Sequence, residues 1–171
     1  MRKPILIAVV PLAAALAAGC GSSSKTTTRS SKPPSTKGAA TIASATIKPY
    51  GTVLVDSAGH AIYIFEPDKH KKVTCTGSCA AVWPPVKLGT GSKPAASGQV
   101  KASLLGTDPN PSGGRVVTYA GWPLYTYVTD TSAGVAHGEG LNLNGGLWYL
   151  ISPSGKVVKP KSSSSTGGGG Y

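Results

Sequence analysis

Between residues 50 and 158 the chain alternates short apolar runs with turn-forming clusters. Thr52-Val53-Leu54-Val55 and Ala61-Ile62-Tyr63-Ile64-Phe65 are rich in β-branched and aromatic residues and flank Asp56-Ser57-Ala58-Gly59-His60. That pattern predicts a β-hairpin. Val116 to Tyr119 and Trp122 to Val128, joined by Ala120-Gly121, predict a second. Leu147 to Ile151 and Lys156 to Val158, joined by Pro153-Ser154-Gly155, predict a third. Only residues 79–82 and 97–105 leave room for short helical stretches. The expected fold is mainly β: a single compact domain over residues 49–159, built from two duplicated β-hairpin units and a C-terminal hairpin.

The first two hairpins are copies. A shift of 62 positions places Gly51 on Gly113, Val55 on Val117, Ala58 on Ala120, Gly59 on Gly121, Tyr63 on Tyr125 and Asp68 on Asp130 without a gap. Ungapped self-similarity of this kind argues for internal duplication. It defines repeat 1 at about 50–86 and repeat 2 at about 113–151. Each copy carries Tyr-x-aromatic-x-x-Asp, as Tyr63, Phe65, Asp68 and as Tyr125, Tyr127, Asp130, and each later reaches a tryptophan, Trp83 or Trp148.

Composition separates this domain from its flanks. The 171 residues include 23 Gly and 14 Pro, with 13% charged residues, which disfavours long amphipathic helices. The net charge of +11 invites a nucleic-acid reading until the charges are located. Residues 49–159 hold nine basic and all six acidic residues, and the Lys69, Lys71, Lys72 cluster has no interleaved stacking aromatics. Nucleic-acid binding is therefore not expected. Residues 20–48 contain thirteen Ser or Thr, five Lys or Arg and no acid, with Ile42 and Ile47 as the large aliphatics. Such a segment predicts a disordered tether, and residues 160–171 predict a low-complexity tail.

Residues 1–19 read as a signal peptide. Arg2 and Lys3 precede a 14-residue apolar stretch, Ile5 to Ala18, and Ala17-Ala18-Gly19 leads into Cys20. The stretch is shorter than the roughly 20 residues a spanning helix needs. Small residues directly before a lone cysteine resemble a bacterial lipobox, with Ala17 standing where the pattern prefers Leu. This predicts a diacylated Cys20 and a protein held at the cell membrane on its extracytoplasmic side, with membrane lipid as one partner and a cell-wall or envelope component as another.

In a strand, Tyr63 and Phe65 share a face, as do Tyr125 and Tyr127. Asp68 and Asp130 follow where the strand ends, where a carboxylate accepts turn N–H groups or a tyrosine hydroxyl. The arrangement reads as an aromatic core with a turn stabiliser, or as an exposed cleft for a planar or sugar-like ligand. Cys75 and Cys79 are expected to form a disulfide in an oxidising compartment; a strained pair at the surface would instead be redox-active. His60, His70 and His137 are scattered, and no zinc spacing, nucleophile elbow, P-loop or dinucleotide fingerprint is present. No metal, cofactor or catalytic constellation is expected.

The two Tyr-x-aromatic-x-x-Asp units, the first followed by Cys75-x-x-x-Cys79-Ala80-x-x-Trp83-Pro84-Pro85 and the second by a Gly-rich loop into Gly146-Leu147-Trp148-Tyr149, resemble the bacterial secreted-repeat lipoproteins over about residues 50–158. The resemblance implies an extracytoplasmic lipoprotein domain. The leading expectation is a non-enzymatic, lipid-anchored envelope protein that binds or organises a surface component. The alternative is a redox or electron-transfer accessory using Cys75 and Cys79, with a bound metal or haem.

Overall fold

A computed structural model of the chain describes residues 39–68 and 72–159. The segment expected to be a signal peptide, Cys20, the expected tether as far as residue 38, residues 69–71 and the expected tail from residue 160 lie outside the described residues. The described residues contain eleven strands and one short α-helix, joined by turns and loops. In chain order they are β1 Thr41–Ile47, β2 Gly51–Val55, β3 Tyr63–Phe65, α1 Ser78–Val82, β4 Lys87–Leu88 and β5 Ala95–Ala96. They continue with β6 Leu105–Pro109, β7 Arg115–Tyr119, β8 Trp122–Pro123, β9 Asn142–Leu143, β10 Gly146–Ile151 and β11 Val157–Val158.

Three small sheets result: β2-β1-β5, β11-β10-β3 with β9 on β10, and β4-β7-β6 with β8 on β7. Strands β2, β3 and β7 bury side chains on both faces, which explains why their apolar runs are nearly continuous. On β3, Tyr63 and Phe65 enter one core cluster, while Ile64, with Ile62 just before the strand, enters the other. On β2, Val53 and Val55 join the first and Leu54 the second. The period of two along each strand thus sorts side chains into an aromatic-rich core and an aliphatic-rich core.

Two expectations need correction. The segment 39–48, assigned above to the disordered tether, contains β1, which pairs antiparallel with β2 from Ala43↔Val55 to Ile47↔Gly51. Ile42 and Ile47 are both buried, and their odd spacing sends them to opposite faces and so to different cores. Two aliphatics in a polar stretch suffice here because each closes a separate core. The first hairpin is also shorter than expected. It is held by the Val55↔Ala61 bridge and by the Ile62 N–H to Leu54 carbonyl bond, after which β3 leaves to pair with β10. Its turn is fixed by Asp56, whose Oδ1 accepts the N–H groups of Ala58 and His60.

The second hairpin forms as expected, with Tyr119↔Trp122 closing a two-residue loop. Ala120 and Gly121 both have positive φ, 50° and 85°, as a type I′ turn requires. The third pairs Ile151 with Val157. Of the helical stretches, 79–82 lies within α1, whereas 97–105 contributes only a 3₁₀ turn at Ala102–Leu104.

Candidate functional site: two crossed tyrosine–aspartate clamps

Tyr63 and Tyr125, the matched tyrosines of the two repeats, face each other and exchange both backbone hydrogen bonds, at 2.8 and 3.0 Å. Around this point each repeat's tyrosine strand runs beside the other repeat's tryptophan segment. Strand β3 pairs with β10 in the register Trp148↔Phe65 and Leu150↔Tyr63. The equivalent contact in the other half is the Pro85↔Tyr125 bridge, extended by Thr126 N–H to Pro84 and Val128 N–H to Val82. The repeats are therefore interleaved about a local pseudo-two-fold.

The aromatic side chains obey the same symmetry. Phe65, Trp148, Trp83 and Tyr127 form one continuous stack with centroid separations of 4.2, 3.9 and 4.1 Å. Rings from repeat 1 and repeat 2 alternate along it. Tyr63 meets Trp83 edge-on at 5.4 Å, and Tyr125 meets Trp148 edge-on at 5.2 Å. Both geometries are favoured by the ring quadrupoles, at about 0.5–1.5 kcal/mol per pair beyond burial. Tyr63, Tyr125, Phe65, Trp83 and Trp148 are buried and Tyr127 is half-buried. The exposed aromatic cleft weighed above is thus replaced by an aromatic core.

Each tyrosine hydroxyl reaches across to the other repeat's aspartate. Tyr63 Oη donates to Asp130 Oδ2 at 2.5 Å, and Tyr125 Oη donates to Asp68 Oδ2. The remaining oxygens bind their own repeat's loop. Asp68 Oδ1 accepts Thr74 N–H at 2.8 Å and the Thr74 hydroxyl at 2.5 Å. Asp130 Oδ1 accepts His137 N–H at 2.9 Å and lies 3.0 Å from His137 Nδ1. Gly138 N–H in turn donates to Tyr63 Oη at 3.2 Å. Burial, reinforced by the facing carboxylates, raises the ionisation of both phenols well above the ordinary tyrosine range. Burial also raises the Asp68 carboxyl, against the lowering effect of its Thr74 and Tyr125 hydrogen bonds. Both phenols are consequently neutral donors at physiological pH.

The two loops differ in what fills them. In repeat 1, Cys75 and Cys79 form a disulfide with a Cα–Cα distance of 5.2 Å, and both cysteines are buried beside the ring stack. In repeat 2, Gly138 stands at the place of Cys75. A methyl group there would come within 2.9 Å of Trp83 and Tyr63 ring atoms. Beside it, Glu139 Oε2 accepts Leu150 N–H at 2.5 Å, while Oε1 is buried without a hydrogen bond among the described residues. Burial pushes the Glu139 carboxyl up to about 7. Among the described residues, no three His, Cys, Asp or Glu side chains gather into a group able to hold a metal ion.

A family of secreted repeats of unknown function matches residues 44–87 and 106–151, together more than half of the chain. The chain belongs to this family. The two secreted repeats start earlier than the hairpins alone suggested, because each includes part of a preceding strand, β1 or β6. No curated protein and no solved structure shows a significant match.

The sequence gives no signal at Thr74, and it presents His137 and Glu139 only as a scattered histidine and a His-Gly-Glu motif too short to carry weight. Thr74 and His137 are matched positions at a shift of 63, one more than the tyrosines, so a single inserted residue hides their equivalence. Their shared role is to hold the aspartate, and it appears only once the loops are folded.

Glu139 gives a testable pH dependence. Its folded ionisation lies above that of an unfolded glutamate, so the folded form binds the extra proton. The associated stability is full below about pH 4.5 and is lost as pH rises through about 7. Glu139→Gln keeps the acceptor for Leu150 N–H and removes the titration. Thermal melts should show the variant gaining on the parent between pH 5 and 8, by on the order of 1–2 kcal/mol after allowance for solvent screening.

Proposed function

We propose that this secreted-repeat protein is a lipid-anchored, non-enzymatic envelope protein whose duplicated domain serves as a rigid head carried on a tether from Cys20. The observation that carries the reading is the crossed clamp. The tyrosines, aspartates and tryptophans that the repeats share are engaged with one another in the interior, which leaves binding to the outer surface and attachment to the N-terminal segment. What supports attachment is Cys20 itself, preceded by small residues and followed by Gly21-Ser22-Ser23-Ser24. Two or three acyl chains, at about 0.8 kcal/mol per buried methylene, hold a protein on a bilayer more firmly than one. The buried Cys75–Cys79 bond belongs with the core in this reading and acts as a structural link.

Cys20→Ala is expected to move the protein out of the membrane fraction, or to leave its signal uncleaved, when membrane and soluble fractions are compared by immunoblot. Normal processing with unchanged membrane retention would overturn the anchor.

A further inference from the structure

We propose that Tyr63 is a one-electron redox site, wired to the surface through the rings of Trp83 and Tyr127 and coupled to proton transfer onto Asp130. The proposal goes beyond the reading of this domain as a rigid head and stands independently of it.

Thiols and thioethers are the usual first targets of oxidants, and after them tryptophan and tyrosine give up an electron most readily. The chain's one methionine is Met1, outside the described residues, and Cys75 and Cys79 are joined in a disulfide. An electron vacancy created on the described domain therefore settles on its indole and phenol rings. Transfer between rings falls off steeply with distance, and here the rings touch. Tyr127 is half-buried and its ring centre lies 4.1 Å from that of Trp83 and 6.5 Å from that of Tyr63, while Trp83 meets Tyr63 at 5.4 Å. These three rings form a closed triangle with one corner open to solvent. The far end of the stack is Phe65, which is buried and carries a phenyl ring much harder to oxidise. The entrance is therefore Tyr127. Tyr125 touches the stack at Trp148, one ring farther from that entrance.

The proton fixes where the vacancy rests. A phenol that loses an electron becomes strongly acidic, so a base must stand against its hydroxyl. Tyr63 Oη donates to Asp130 Oδ2 at 2.5 Å, and the Asp130 side chain is fully buried. His137 N–H and Nδ1 engage the other oxygen, which leaves Oδ2 for the phenolic proton. In the forward step the Tyr63 O–H bond breaks. Its electron passes by Trp83 and Tyr127 to an oxygen-centred radical in the medium, which is reduced by one electron and protonated from water. The phenolic proton moves to Asp130 Oδ2. What remains is a neutral phenoxyl radical facing a neutral carboxylic acid, so a buried charge is relieved. The phenoxyl oxygen keeps Gly138 N–H as a donor, 3.2 Å away in the resting state. A one-electron reductant in the medium, a thiol or a phenol, returns the electron, and Asp130 returns the proton.

The test uses the full chain with Tyr50, Tyr149 and Tyr171 changed to Phe, which silences tyrosines outside the stack and clamps. Tris(bipyridine)ruthenium(III), generated by a light flash with persulfate as electron acceptor, serves as the oxidant. Transient absorption and electron paramagnetic resonance should show a tryptophan radical that gives way to a phenoxyl radical, formed more slowly in D₂O than in H₂O. Tyr63→Phe should lose this early phenoxyl signal, and Tyr127→Phe should lose the fast phase of its formation. Asp130→Asn removes the base and should slow formation on the order of a hundredfold, the usual contribution of a positioned proton acceptor. Circular dichroism checks the fold of each variant, and the isotope effect on the unaltered clamp tests the proton step should Asp130→Asn fail to fold. No phenoxyl signal, formation at the same rate in H₂O and D₂O, or an unchanged rate in Tyr63→Phe, Tyr127→Phe or folded Asp130→Asn would overturn the proposal.

Discussion

Trp83→Ala and Trp148→Ala are each expected to destabilise the domain by about 3–5 kcal/mol, the usual range for emptying a buried tryptophan site. The two are the central members of the four-ring stack, 3.9 Å apart and within 2° of coplanar. Removing either leaves a gap between two rings of the other repeat and strips the edge contact from Tyr63 or Tyr125. The loss approaches the whole stability of a small domain, typically about 5–15 kcal/mol. Denaturant unfolding of the single variants should show similar losses, because the sites are related by the pseudo-two-fold. The double variant should lose less than the sum, because the first truncation already breaks the contact the second would break. A melting point within a few degrees of the parent for either single variant would contradict the stack as the centre of the fold.

The second large effect is expected at Asp68. Asp68→Ala removes the acceptor for Tyr125 Oη, Thr74 N–H and Thr74 Oγ1 at once. Leaving one buried polar group unsatisfied costs about 1–3 kcal/mol, so a loss of roughly 3 kcal/mol or more is expected, measured by urea unfolding. Asp68→Asn retains an acceptor and should lose less, about 1–3 kcal/mol. Tyr125→Phe in the Asp68→Ala background should then add little, since the hydroxyl it removes has already lost its partner. If Asp68→Ala unfolds at the same denaturant concentration as the parent, the clamp contributes nothing to the fold.

Much of this arrangement was legible in the sequence. The period of two put Tyr63 with Phe65 and Tyr125 with Tyr127 on shared faces, and the ungapped shift identified the repeats. The choice between turn donors and a tyrosine hydroxyl for Asp68 and Asp130 proved to be no choice, since each aspartate satisfies both. What the sequence did not disclose was that each hydroxyl crosses to the other repeat. A motif specifies residue types at fixed separations along one segment, whereas the crossing depends on contacts 57 and 67 residues apart. Strand β1 was hidden for a related reason. Thr41-Ile42-Ala43-Ser44-Ala45-Thr46-Ile47 offers only two bulky aliphatics among small and polar residues, and pairing with β2 gives those isoleucines cores to fill.

The interleaving also bears on how such a chain arises. A polypeptide holding one secreted repeat would expose its tyrosine strand, its aspartate and one face of its tryptophan, and would have to find all three partners in a second copy of itself. Joining two such copies end to end turns a symmetric dimer into a monomer whose halves are always present in equal amount. Once joined, matched positions need no longer be identical. One loop holds a disulfide where the other holds Gly138 and Glu139, while the shared interior keeps both halves in place.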